Sequence, residues 1–191
     1  MKQKIKAIIF DLDGVIVDSA ECEFNAYQKA LGEQGIRISL KDFSNARGGT
    51  SIELLQNISK AKHIKFDTEK ALKRKNNIYK KSLHKIRPYK GVAKFIRRIK
   101  GCKLAVASSG SIETIKPILK NLRILNAFDV ITGAEHIKNG KPDPEIFLLT
   151  AEKLKVNPAG CLVFEDSKEG IKAAGAAGMN VIEISPKEEL E

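Results

Sequence analysis

The chain has 191 residues, 42% hydrophobic and 30% charged, a balance that excludes a disordered polymer and a disulfide-stapled miniprotein and leaves room for a sizeable aliphatic core. Three cysteines, Cys22, Cys102 and Cys161, are odd in number and lack metal-like spacing, which suits reduced thiols. The formal net charge of +11 brings nucleic acid or an anionic small substrate into view, but residues 17–89, with fifteen basic and eight acidic side chains and no aromatic interleaving, read as a solvated basic face.

Ala7-Ile8-Ile9-Phe10, within a segment from Ile5 to Phe10, is the continuous apolar run of a strand buried on both faces, and Asp11 ends it. Residues 17–88 then carry helical signals and no convincing strand. A first helix is expected near Asp18, with Glu21 three residues on and Ala20, Phe24, Tyr27 and Leu31 on one face. Thr50-Ser-Ile-Glu53 is a capping-box signature, followed by Ile52, Leu55 and Ile58. Leu72, Tyr79, Leu83 and Ile86 mark a long third helix ending at Pro88.

Beyond Pro88, Val92, Phe95, Ile96 and Ile99 predict an amphipathic helix. Apolar runs recur at Lys103 to Ala107, Phe128 to Ile131, Cys161 to Phe164 and Asn180 to Ile184, mostly separated by helical stretches. Asp143-Pro144-Glu145 reads as a helix start with an acidic cap and Pro at the first position. The small residues from Ala173 to Gly178 suit a helix held close to a sheet. The fold class is therefore α/β: a parallel sheet in a core made of residues 1–16 and 89–191, with residues 17–88 inserted as a helical cap. No run approaches the ~18 apolar residues of a membrane span, and the N-terminus has no secretory segment, so a cytoplasmic location is expected.

Asp11 and Asp13 stand at the carboxyl end of the first strand, where open parallel sheets bind ligands. There Asp11 can attack an electrophile while Asp13 handles a proton; capping of the strand end is the alternative. The second core strand ends in Ser108-Ser109-Gly110, able to hold phosphate oxygens or simply to start a helix. Lys141 in Gly140-Lys-Pro-Asp-Pro144 can neutralise a phosphoryl group, and Glu165-Asp166-Ser167 offers hard oxygens suited to Mg²⁺. Each is weak alone, but the alternation brings all four to one sheet edge, and together they meet the needs of phosphoryl transfer through an aspartyl-phosphate.

On these four motifs, in this order and spanning nearly the whole chain, the sequence resembles the haloacid dehalogenase superfamily, in the branch with a helical cap inserted after the first strand. The resemblance implies a Rossmann-like core, Asp11 as nucleophile and Asp13 as general acid and then base. It also implies a phosphate site of Leu12, Ser108, Ser109, Gly110 and Lys141, and Mg²⁺ held by Asp11, Asp166 and the Asp13 carbonyl with Glu165 in support. Dehalogenase members lack the second Asp of the first motif, so Asp13 argues for phosphate chemistry. The end at Glu191 leaves little room for the final helix common in that family.

Within the branch the chain is similar to sugar-phosphate phosphatases and to β-phosphoglucomutase. That likeness puts Arg47, Gly48 and Gly49 where relatives contact the leaving group, and Glu23 where the mutase has a histidine. The expected function is a Mg²⁺-dependent phosphatase of a small phosphorylated metabolite, with a sugar phosphate as substrate and no membrane or nucleic-acid partner. A phosphosugar mutase and an inactive nucleic-acid-binding module are the alternatives. Oligomeric state, a monomer included, is left open by the sequence.

Overall fold

The computed structural model describes residues 4–47 and 50–185. In chain order the elements are β1 (Ala7–Phe10), β2 (Val17–Asp18), α1 (Ala20–Gly32), α2 (Leu40–Ala46), α3 (Ser51–Lys62), α4 (Thr68–Ser82), β3 (Arg87–Pro88) and α5 (Val92–Arg98). There follow β4 (Lys103–Ala107), α6 (Ile112–Asn121), β5 (Val130–Thr132), α7 (Glu145–Leu154), β6 (Cys161–Glu165), α8 (Lys168–Ala176) and β7 (Asn180–Glu183).

Five strands form one parallel sheet in the order β5-β4-β1-β6-β7, and β1 is its centre. Both faces of β1 are covered, which explains its unbroken apolar sequence. Ala7 and Ile9 pack with Phe147 and Ala173 on one face, while Phe10 packs with Val106 and Ile115 on the other. Phe10 and Phe164 stack with ring centroids 5.0 Å apart, and Phe95 and Phe128 meet Phe10 edge-on. Such aromatic pairs add about 0.5–1.5 kcal/mol each beyond the area they bury.

The helices between β2 and β3 bury a cluster of their own around Tyr27, Leu31, Phe43, Leu55 and Ile58. Several expectations are corrected here. The segment is not free of strands: Val17 and Asp18 pair antiparallel with Pro88 and Arg87, a two-residue ribbon at its two ends. Its described residues hold four α-helices rather than three, because Ser39 and Asp42 form a capping box that starts α2. The first helix begins at Ala20 without a side-chain cap, and Ile52 is exposed while Leu54 takes the buried position. The strand expected from Phe128 starts at Val130, since Phe128 leaves a 3₁₀ turn and the Asp129 carboxylate accepts the Leu104 N–H at 2.8 Å. The helix expected after Asp143 starts at Glu145, whose N–H the Asp143 carboxylate accepts at 2.9 Å. Among the described residues no helix is long and apolar enough to cross a membrane.

Candidate active site

The chain moves outward from β1 in one direction through β4 and β5 and in the other through β6 and β7, so the carboxyl end of β1 is the point where the winding reverses. A crevice opens at such a point because successive connections leave to opposite sides. Asp11 is the first residue beyond β1 and is fixed there by its N–H donating to the Phe164 carbonyl at 2.9 Å. Leu12 turns into the core, and its carbonyl accepts the N–H groups of Ile16 and Val17. Gly14 has φ +88°, and a β-carbon there would overlap the Asp166 carboxylate, so both its backbone and its neighbour require glycine.

Lys141 joins the strand ends. Its ammonium lies 2.6 Å from Asp11 Oδ1 and 2.6 Å from Glu165 Oε2, all three groups being buried. Burial works against the Lys141 charge, but the two carboxylates outweigh it and hold the amine protonated above its ordinary range. Glu165 is likewise opposed by burial yet held low by Lys141 and by the Ser167 N–H and hydroxyl. Asp11 goes the other way: burial drives its carboxyl well up, against the pull of Lys141 and with the help of Glu165.

Glu165 Oε1 accepts from the N–H of Asp166, the N–H of Ser167 and the Ser167 hydroxyl. Its side chain runs over Gly170, where a β-carbon would collide with it, so the small-residue helix α8 is what admits this carboxylate. Burial and the Glu165 charge raise the Asp166 carboxyl to about 6. Carboxylate oxygens of Asp11, Glu165 and Asp166 all lie within 4.8 Å of one another, an all-oxygen donor set that fits a hard divalent cation. The Asp13 carboxylate stands outside this set.

Asp13 instead accepts a hydrogen bond from the Ser19 hydroxyl, which is why Ser19 does not cap α1. Burial and the Glu23 carboxylate raise the Asp13 carboxyl, while Ser19, Arg47 and Lys75 oppose the rise. Such a group can carry a proton nearer neutral pH than an exposed aspartate. Ser108 is buried, its hydroxyl accepting the Gly110 N–H at 3.0 Å and so shaping the loop ahead of α6.

Asp11, Asp13, Ser108, Ser109, Gly110 and Lys141 line one cavity of about 1010 Å³ together with groups from the inserted helices, Glu23 and Arg47 among them. Gly48 and Gly49 lie outside the described residues. The sequence reading missed Lys75, Tyr27 and Ser19. Lys75 is 5% exposed, with its ammonium 3.5 Å from Glu23 Oε1 and 4.6 Å from the Tyr27 ring centroid. The Tyr27 hydroxyl is buried beside Ser51 and Lys75, with no well-aligned hydrogen-bond partner among the described residues. A signal for Lys75 was available, since Ala71, Lys75 and Tyr79 recur every four residues on one helix face.

The profile of haloacid dehalogenase-like hydrolases matches residues 8–184. The chain belongs to this family. It is 34% identical over 182 residues to a phosphorylated carbohydrates phosphatase of Thermotoga maritima, covering 93% of this chain and 84% of that one. Identity to β-phosphoglucomutase of Bacillus subtilis is 31% over 188 residues, covering 94% and 83%. The crystal structure of β-phosphoglucomutase from Clostridium difficile superposes with a TM-score of 0.84 at 31% identity, covering 97% of this chain and 94% of that one. The protein is thus a haloacid dehalogenase-like hydrolase, similar to a phosphatase of phosphorylated carbohydrates and to a β-phosphoglucomutase.

Proposed function

We propose that this hydrolase is a Mg²⁺-dependent phosphatase of small sugar phosphates, acting in the cleft between the sheet edge and a cap formed by residues 17–88. The observation that carries the reading is the buried Lys141 ammonium bridging Asp11 and Glu165 beside Asp166. It supports a site in which anionic charge is offset where the Asp11 carboxylate would meet phosphorus.

In this reading Asp11 attacks the phosphorus atom, the ester C–O–P linkage breaks on the leaving-group side of phosphorus, and Asp13 gives its proton to the departing oxygen. Asp13 then takes a proton from water as that water attacks the aspartyl-phosphate, which returns Asp11 and releases inorganic phosphate. Lys141, the Ser108 hydroxyl and the Ser109 amide hold the phosphoryl oxygens, with the Leu12 backbone closing the other side and Gly110, whose N–H donates to the Ser108 hydroxyl, shaping the loop. Asp11, Asp166 and the Asp13 carbonyl would hold Mg²⁺, with Glu165 setting their positions. The cation supplies charge neutralisation of the phosphoryl group.

The sugar reading rests on the donors and acceptors gathered by the cap. Lys75, Glu23 and Ser51 line the same cavity with the Tyr27 ring, whose buried hydroxyl stands beside Ser51 and Lys75, a mixture that suits a hydroxylated leaving group. The Glu23 carboxylate is unfavourable for a leaving group that carries a carboxylate of its own. The test is phosphate release from a panel of hexose, pentose and carboxylic-acid phosphates with Mg²⁺, with Asp11→Asn as control. Turnover of the sugar esters that disappears in the variant and on chelation is expected. A panel without turnover, or hydrolysis retained by folded Asp11→Asn, overturns the reading.

A further inference from the structure

Gly140 is not among the glycines at positive φ, so its backbone conformation would accept alanine. Its surroundings would not. A β-carbon at 140 would stand 2.9 Å from Thr50 Cγ2, 3.1 Å from the Thr50 nitrogen and 3.2 Å from Glu53 Oε2. All three atoms belong to the capping box at the start of α3, where the Thr50 N–H donates to Glu53 and the Glu53 N–H to Thr50 Oγ1. The contact therefore joins a loop of the sheet domain to the first turn of a helix in the insertion.

Neither side of the contact yields easily. On the loop, the Asp143 N–H donates to the Gly140 carbonyl at 3.0 Å, and the Lys138 and Asn139 N–H groups donate to the Glu145 carboxylate. On the helix, the reciprocal capping bonds fix Thr50 to Glu53. Extra volume at 140 must then move one body against the other. Gly140 directly precedes Lys141, and Thr50 follows Arg47 by three residues, Arg47 lining the cavity with Asp13 and Asp166.

We infer that Gly140 is a positioning residue: it is the seat on which the α3 capping box closes, and its missing side chain sets how far the cap carries Arg47 and Lys75 over the Asp11 site. The kinetic consequence rests on the phosphatase reading; the geometric one does not. A substrate whose leaving group reaches the cap depends on this seating, whereas acetyl phosphate, with almost no leaving group to hold, does not.

The variants are Gly140→Ala, Gly140→Val and Gly140→Ala combined with Thr50→Ser, which deletes the opposing methyl and keeps the capping hydroxyl. Against the sugar phosphate that wild type turns over best, Gly140→Ala should lose kcat/KM by roughly 10²-fold, chiefly through KM, with Gly140→Val lower still. Acetyl phosphate turnover and the melting temperature should stay near wild type, and Thr50→Ser in the double variant should recover a large part of the loss. Small-angle scattering of the ligand-free proteins should show a larger radius of gyration in the order wild type, Gly140→Ala, Gly140→Val, reversed by Thr50→Ser. If wild type hydrolyses no phosphate ester, the phosphatase reading falls while the scattering series still decides the seat. Equal losses on both substrates, no recovery in the double variant, or unchanged scattering across the series overturns the inference. Should Gly140→Val fail to fold, the alanine pair decides it.

Discussion

The α-carbon of Gly14 lies directly against the carboxylate of Asp166, so the turn after the first strand and the end of the fourth core strand occupy each other's space with no room for one added carbon. Gly14→Ala must adopt a left-handed conformation and displace Asp166 together. The backbone alone costs about 1–2 kcal/mol for a residue with a β-carbon. We expect a lowered urea midpoint and Mg²⁺ affinity reduced well beyond what that loss of stability implies. Wild-type Mg²⁺ affinity in a folded Gly14→Ala protein, measured by calorimetric titration, would contradict the placement.

Lys141→Met removes the cation that bridges two buried carboxylates. Breaking a buried ion pair from one side typically costs about 3–5 kcal/mol, because a charge is left without compensation. Without the amine, Asp11 and Glu165 must share a proton, so their carboxyls rise in the folded state. A raised carboxyl stabilises the fold below its ordinary pKa, and that contribution is lost as pH rises through the new value. The variant should therefore be far less stable than wild type at pH 8 and much closer to it at pH 5, with phosphate release abolished at both. Chemical denaturation at the two pH values checks the sign.

Asp166, raised to about 6 by burial and by Glu165, gives the metal-free protein a similar dependence. Its stabilising contribution is complete below the ordinary carboxylate range and disappears as pH rises through about 6. Mg²⁺ binding must release that proton, so affinity should climb between pH 5 and pH 7 and then level off. Melting curves with and without Mg²⁺ at these pH values should diverge as pH rises. An affinity independent of pH over this range would remove Asp166 from the cation site.

Tyr27→Phe separates stability from recognition. Among the described residues the hydroxyl has Ser51 and Lys75 beside it but no well-aligned partner, and a poorly satisfied buried polar group costs about 1–3 kcal/mol, so its removal should leave the melting temperature unchanged or raise it. The KM for sugar phosphates should increase while acetyl phosphate is handled as before. A destabilised Tyr27→Phe protein with unaltered KM would place the hydroxyl's partner inside the fold rather than on the substrate.

Glu23 bears on whether water or a sugar receives the phosphoryl group. Its carboxylate is 3.5 Å from the Lys75 ammonium and offers acceptors only, where an imidazole offers a donor as well. We expect phosphate release without efficient interconversion of β-glucose 1-phosphate and glucose 6-phosphate, even with a bisphosphate primer. A coupled glucose 6-phosphate assay run beside phosphate release decides it, and interconversion that outruns hydrolysis would assign the protein to the mutases.

The parts of this arrangement legible in the sequence are those that a strand end exposes. Asp11, Ser108 and Asp166 each follow a buried apolar run, and parallel pairing then forces them together. What stayed hidden depends on contacts between distant segments. Lys75 sits in the run Lys73-Arg74-Lys75 and reads as one of three solvated cations, although its helix turns it onto the face of Ala71 and Tyr79. Ser19 stands next to the helix start expected at Asp18 and belongs to no motif, yet its hydroxyl is drawn to Asp13 six residues back. Helix α2 was legible in principle from Ser39 and Asp42; its brevity, seven residues, left too little apolar periodicity to reveal it.

The position of β1 has a consequence for how the chain reaches this state. The strand is four residues long and lies at the middle of the sheet, yet Ala7 has its partners at Lys103 and Cys161. During synthesis the whole insertion, with its own cluster around Tyr27, Phe43 and Leu55, emerges before either partner exists. Closing loops of that length is entropically costly, and pairing between such distant segments is slow compared with helix formation. The two aspartates after β1 are thus made well before most of the groups that surround them and are assembled with those groups late. In refolding, helical circular dichroism should return ahead of enzyme activity.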